Sequence, residues 1–125
     1  MPRIDVVLFR EEDGSVPVID WLNGLPPKAQ DKCLAALRRL AALAHELRRP
    51  IADYLRDDIY ELCVGLRGVN YRILYFFHGQ TAAIVSHGLV KEKVVPSKEI
   101  EKAIRRKKVF EADPVAHGLR FEEHP

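Results

Sequence analysis

The sequence predicts an α+β domain: an antiparallel β-sheet with two N-terminal helices and one C-terminal helix packed on it. Three observations predict this fold class. Apolar and polar residues alternate over residues 59–67, which is the period of a strand with one buried face. Residues 70–77 and 81–87 are rich in aromatic and branched residues, as strands prefer. Because the turns between these runs are short, neighbouring strands must run antiparallel.

The elements before this sheet follow from local signals. Residues 3–10 read as a short strand that pairs along the sheet and ends in a polar turn. Pro17 suits the first turn of a helix that stops at Gly24. Residues 27–49 then predict a longer helix, because apolar residues recur at helical spacing up to Pro50. We expect residues 51–57 to be the connection into the sheet.

After the sheet, the sequence predicts an extended segment, one helix and a tail. Residues 88–95 continue extended or form a short final strand, and Pro96 and Ser97 begin a helix that runs to about Phe110. Asp113 and Pro114 end it. Residues 114–125 show no periodic pattern, so the sequence predicts a single domain over residues 1–113 followed by a mobile tail over residues 114–125.

Composition narrows the class of protein. The chain has 125 residues, of which 47% are apolar and 30% charged, as in ordinary globular domains. It has no apolar run of bilayer length and no signal-peptide pattern, so we expect a cytoplasmic protein with no membrane partner. Its two cysteines, Cys33 and Cys63, form no metal-binding or redox motif and read as reduced thiols. The histidines show no metal-ligand spacing either.

Strand geometry places several charged residues. If Leu62 and its alternate neighbours face the core, then Glu61, Cys63 and Arg67 lie on the opposite, open face of the sheet. Arg72 lies inside an apolar strand, where it must either reach an acidic partner or meet a ligand. A separate cluster of basic residues over 91–108 predicts either a phosphate-binding surface or a solvated helix face.

Several sequence runs resemble one family. They are YLRDDIYEL at 54–62, GVNYRILYFFHG at 68–79 and HGLVKEK at 87–93, with PKAQDKC at 27–33 and HELRRP at 45–50. Together they resemble the phage-derived, HigB-like branch of the RelE/ParE toxins. The resemblance implies a RelE-like fold and the toxin component of a bacterial type II toxin–antitoxin module. It also implies partners: a cognate antitoxin, of the helix-turn-helix HigA-like kind, and messenger RNA in the ribosomal decoding site.

The implied chemistry is metal-independent RNA cleavage, in which cations stabilise the charge that develops on the attacked phosphate. No cofactor is implied. On the family pattern, Arg72 corresponds to a phosphate-binding arginine and Lys91 falls near another basic site residue. Strand geometry adds Arg67 and Lys93 as RNA-binding residues. His87 is either a general acid or base or a structural residue at a strand end.

The sequence also departs from the family pattern. Relatives usually carry basic residues at the positions of Cys63 and Gly65, so two cations expected on the open face are missing. Three functions therefore stay open. The chain is a ribosome-dependent endoribonuclease, or a ParE-like toxin that inhibits DNA gyrase, or a degenerate toxin that only binds its antitoxin. An antitoxin would cover the basic face with an acidic helix or strand.

Overall fold

A computed structural model describes residues 3–91 and 93–121 as one mixed β-sheet with helices packed on both of its faces. The six strands have the spatial order β2-β3-β4-β5-β1-β6. The strands are β1 (Asp5–Phe9), β2 (Ala52–Arg56), β3 (Ile59–Leu66), β4 (Val69–His78), β5 (Ala82–Val90) and β6 (Gly118–Arg120). The helices are α1 (Pro17–Asn23), α2 (Pro27–Leu43), α3 (Ser97–Ala112) and α4 (Pro114–His117), with a 3₁₀ turn at Ala44–Glu46.

The predicted fold class is confirmed, and the meander β3-β4-β5 is antiparallel throughout. Two details differ. Strand β1 pairs with β5 in parallel, because α1 and α2 carry the chain away from β1 before the meander begins. The expected connection at residues 51–57 contains strand β2, which pairs antiparallel with β3 at the sheet edge. Within the described residues, no helix is long and apolar enough to cross a membrane.

The C-terminal segment is ordered further than the sequence predicts. The prediction of a mobile tail is wrong over residues 114–120, because α4 follows α3 directly and β6 pairs antiparallel with β1. The His117 ring stacks on Phe9 with 5.7 Å between centroids. The Asp113 side chain accepts a hydrogen bond from the backbone N–H of Ala116 and caps α4. Residues 122–125 of the predicted tail lie outside the described residues.

Both faces of the sheet are covered, so the prediction of one open face is wrong for the sheet centre. Helices α1 and α2 cover one face, where Leu37, Leu62 and Tyr75 are buried in the larger core cluster. Helix α3 covers the other face through its own apolar stripe, in which Phe110 packs against the buried Phe76 of β4. The candidate residues of the meander therefore lie under or beside α3.

Candidate functional site

Strand register brings two of the five predicted site residues, Arg72 and His87, onto the α3 side of the sheet. Cys63 pairs with Arg72, and Glu61 pairs with Leu74 across β3 and β4. Leu74 in turn pairs with His87 across β4 and β5. Because Leu74 is buried in the α3-side cluster, its register partners Glu61 and His87 project to the same side. Arg72 lies two residues from Leu74 along β4 and shares that face.

Arg72 forms a buried ion pair with Glu61. Its Nη1 lies 2.6 Å from Glu61 Oε1, and the two side chains are only 13% and 8% exposed. Its Nη2 donates a hydrogen bond of 3.1 Å to the backbone carbonyl of Lys93. Its Nε–H is buried and finds no acceptor among the described residues. Of the two alternatives that the sequence left open, the structure shows the acidic partner, and it leaves one donor of the guanidinium unused.

His87 is held in a second buried network. Its Nε2 lies 2.8 Å from Glu99 Oε1 on α3, and its Nδ1 lies 2.7 Å from the Ser86 hydroxyl. Burial lowers the pKa of His87, and the hydrogen bond to Glu99 only partly offsets this effect. Burial alone would raise the pKa of Glu99, but His87 and Lys102 together bring it below its usual value. We therefore assign a neutral imidazole that donates from Nε2 and accepts at Nδ1.

Arg106 extends this network to the N-terminal half of the chain. Its Nη1 donates to the Ser86 hydroxyl at 3.4 Å, and its Nη2 lies 3.1 Å from a Glu11 carboxylate oxygen. Its guanidinium also lies over the Phe9 ring, 5.6 Å from the centroid. The sequence grouped Arg106 with a basic surface cluster, whereas the structure buries it. Both ring nitrogens of His87 are thus occupied in a network that ties α3 to the sheet.

The remaining predicted cations are exposed at one end of the sheet. Arg67 lies in the β3-β4 turn with a φ of 53°, so it projects from the turn and not from a strand face as predicted. Lys91 follows β5, and its backbone N–H donates to the carbonyl of Asn70 at 3.1 Å. Lys93 is exposed, and its carbonyl contacts Arg72. Lys93 therefore borders the buried Arg72 through its backbone, and Lys91 and Arg67 lie at the same end of the sheet.

Sequence reasoning missed two cations on α2. Lys32 donates from Nζ to the Gly65 carbonyl at 3.0 Å. Lys32 and Arg39 both line a cavity of about 490 Å³ together with Cys63 and Gly65. Two cations of α2 thus share a cavity with Cys63 and Gly65, although Lys32 reaches the Gly65 backbone from the α2 side of the sheet. Helical spacing alone could have placed Lys32 and Arg39 on one face of α2, two turns apart, but could not have predicted their approach to β3.

Cys63 is an unreactive thiol in this setting. Burial raises its pKa to about 11, and the nearby Glu61 carboxylate adds to this effect. A thiol is a nucleophile only as the thiolate, so these surroundings disfavour a nucleophilic role for Cys63. Within residues 3–91 and 93–121, no group of three or more potential metal ligands was found.

Comparison with known families gives one match that includes the residues described above. Residues 20–108 match the family model described as Phage derived protein Gp49-like (DUF891). The matched range extends from α1 through the whole meander and most of α3, and includes Glu61, Arg72, His87, Lys91 and Lys93. A comparison with curated proteins gave no match.

Proposed function

We propose a function from one premise: the chain belongs to the phage-derived Gp49-like protein family, which is a RelE-like toxin family. The proposal is that it is the toxin of a type II toxin–antitoxin module, with an antitoxin as its partner. In its finer form, the toxin is a metal-independent endoribonuclease that cleaves messenger RNA on the ribosome. The HigB-like character and the ribosome dependence rest on the sequence resemblance.

The contact between Glu61 and Arg72 is the observation that carries the finer proposal. Metal-independent RNA cleavage needs a base that takes the proton of the 2′-hydroxyl and a cation that stabilises the attacked phosphate. A carboxylate and a guanidinium 2.6 Å apart supply both groups. The Nε–H of Arg72, which has no acceptor among the residues that the structure describes, is a further donor that a phosphate oxygen can accept from.

The proposed step is an attack of the 2′-oxygen of RNA on the adjacent phosphate. The Glu61 carboxylate takes the 2′-hydroxyl proton as the 2′-oxygen bonds to phosphorus, and the bond from phosphorus to the 5′-oxygen breaks. The products are a 2′,3′-cyclic phosphate and a 5′-hydroxyl end, whose proton comes from water or from the protonated Glu61. Arg72 stabilises the phosphate in the transition state, while Arg67, Lys91 and Lys93 bind the flanking backbone. His87 is assigned a positioning role, since both of its nitrogens have partners within the fold.

A degenerate toxin is the second candidate, and a specific observation favours it. The ion pair with Glu61 already neutralises Arg72, and no cation stands at Cys63 or Gly65. A phosphate must therefore compete with Glu61 for the guanidinium. If the surface cations and those on α2 do not attract RNA strongly enough, the chain binds its antitoxin and cleaves nothing.

Induced expression followed by mapping of 5′-hydroxyl transcript ends tests the proposal. We expect growth arrest with new ends at codon-linked positions in the wild type. The double variant Lys91→Gln/Lys93→Gln should lower cleavage by about 10-fold or more, because both side chains are exposed and contribute little to folding. The matched control Arg105→Gln/Lys108→Gln removes two exposed cations from α3 and should cleave like the wild type.

Two other outcomes would contradict the endoribonuclease proposal. Growth arrest with intact transcripts and inhibited gyrase supercoiling would indicate a ParE-like toxin. Harmless expression would indicate a degenerate toxin, and Gly65→Arg then becomes the informative variant. A Cβ at Gly65 would meet only Asn70 Oδ1, at 3.8 Å, so the strand has room for a side chain there. Toxicity gained by Gly65→Arg but not by Gly65→Gln would show that a missing cation limits activity.

A further inference from the structure

A cluster of aromatic rings lines a cavity on the side of the sheet opposite to Arg72. The cavity has a volume of about 540 Å³ and lies between the 3₁₀ turn that follows α2 and strands β2, β3 and β4. This volume is in the range of small-ligand sites. The rings that line it are those of His45, Tyr54, Tyr60, Tyr75 and Phe77. Tyr75 and Phe77 continue into the main core, so part of the cluster is structural.

Two rings at the rim are exposed, and core packing does not account for them. Tyr54 is 50% exposed on the edge strand β2, and its ring meets Tyr60 edge-on with 5.1 Å between centroids. His45 is exposed on the 3₁₀ turn, and its inner face stacks on Phe77 with 3.9 Å between centroids. The rings of His45 and Tyr54 thus line the cavity from two different elements, and each is exposed at its rim. Planar apolar faces at the mouth of a cavity are suited to a planar aromatic ligand.

The charges at the rim indicate an anionic ligand. Arg48 and Arg49 both line the cavity. Arg49 pairs with the only carboxylate in the lining, Asp53, at 3.1 Å. Arg48 donates instead to the backbone carbonyls of His45 and Leu47 at the end of the 3₁₀ turn, and it has no carboxylate partner among the described residues. Its positive charge is therefore held at the rim without a counter-ion.

We propose that this cavity binds one nucleotide of a single-stranded RNA, with the base against Tyr54 and His45 and its phosphate on Arg48. An aromatic base and a phosphate in one ligand match the two kinds of group at the rim better than an acidic peptide, which would leave the ring faces uncovered. The choice of RNA rests on the proposed function. The site lies on the other face of the sheet from Glu61 and Arg72, so it adds a binding contact and takes no part in cleavage.

Fluorescence anisotropy with a labelled 2′-O-methyl oligoadenylate hexamer tests this site. The methylated 2′-oxygen cannot attack the phosphate, so binding is measured whether or not the chain cleaves RNA. Tyr54→Ala should weaken binding by about 5- to 100-fold, the range for loss of one base–aromatic stack. Tyr54→Phe keeps the ring and loses only the hydroxyl that accepts from the Asp58 N–H, so it should bind like the wild type.

A charge-matched pair separates the site from general electrostatic attraction. Arg48→Gln should weaken binding, whereas Arg105→Gln, which removes an exposed cation from α3, should leave it nearly unchanged. Equal losses from Arg48→Gln and Arg105→Gln would overturn the proposal, as would equal affinity of Tyr54→Ala and the wild type. If adenosine monophosphate competes as strongly as the hexamer, the site is a mononucleotide site and the RNA assignment is wrong.

Failure of this proposal is distinguishable from failure of the proposed function. If Tyr54→Ala keeps the hexamer affinity of the wild type, and the wild type still produces 5′-hydroxyl transcript ends, then only the proposal of RNA binding in the cavity is wrong. Tight, Tyr54-dependent binding in a chain that produces no such ends would support the cavity and contradict cleavage. Circular dichroism of each variant confirms that it is folded before its affinity is compared.

Discussion

The buried pair of Glu61 and Arg72 leads to the most decisive prediction about this fold. Glu61→Gln removes one charge while keeping the size of the side chain and one oxygen that can accept a hydrogen bond. Arg72 then remains charged and mostly buried, and within the described part of the chain the Lys93 carbonyl and a neutral amide are left to accept from it. We expect the variant to be clearly less stable than the wild type, although no packing contact is lost.

The size of the effect follows from burial. An exposed ion pair contributes at most about 1 kcal/mol, whereas breaking a buried pair costs about 3–5 kcal/mol because a desolvated charge is left behind. With side chains 13% and 8% exposed, this pair belongs to the buried class. The Lys93 carbonyl softens the loss, so we expect about 3 kcal/mol. For a domain of this size that corresponds to a fall in Tm of roughly 10 °C.

Urea unfolding followed by circular dichroism measures this difference. The double variant Glu61→Leu/Arg72→Met is the control, because it replaces both charges by apolar groups and should recover most of the lost stability. If Glu61→Gln lowered the free energy of unfolding by less than about 1 kcal/mol, the pair would be solvated and our description of a buried ion pair would be wrong. A double variant as unstable as Glu61→Gln would show that the cost comes from packing and not from charge.

Three further predictions concern other parts of the fold. Burial lowers the pKa of His87, so the unfolded chain binds more protons than the folded chain once the pH falls below about 6.5. The free energy of unfolding should therefore decrease as the pH is lowered from 7 to 5. Urea unfolding at a series of pH values should show a flatter dependence for His87→Gln than for the wild type. Gly88→Ala would place a Cβ 2.2 Å from a carbon of the Trp21 ring, so it should cost about 1–3 kcal/mol and alter the near-ultraviolet signal of that tryptophan, whereas Gly65→Ala should do neither. Truncation after Asp113 removes α4 and β6 and should lower Tm by several degrees, and an unchanged Tm would mean that the segment contributes nothing to the fold.

The meander could be predicted from the sequence because its signals are local. Alternation in β3 and the aromatic runs in β4 and β5 each identify a strand without reference to the others. The short strands at the sheet edges are harder to predict from the sequence. Strand β6 has three residues, and no pattern in so short a segment distinguishes it from a tail. It is a strand because β1 offers it an unpaired edge, and that is a property of the assembled sheet.

The partner of Arg72 could not be chosen from the sequence, since it depends on register. The turn residues Arg67 and Gly68 both have positive φ, of 53° and 80°. A two-residue turn of this kind sets the pairing of β3 with β4 and so places Cys63 opposite Arg72. Glu61 then lies one step along the same face, within reach of the guanidinium. A slip of one residue would have turned Glu61 to the other side of the sheet.

The same ion pair sets the condition under which the proposed chemistry operates. While Glu61 and Arg72 are joined, neither group is available, because the base is neutralised and the cation is occupied. In the proposed step, a phosphate that takes over Arg72 separates the pair and leaves the Glu61 carboxylate without the guanidinium that neutralises it in the free protein. The substrate that occupies the cation would thus free the base. RNA binding by the exposed lysines beside the pair would have to supply the free energy for this exchange, and cleavage should therefore depend on residues that never contact the scissile bond.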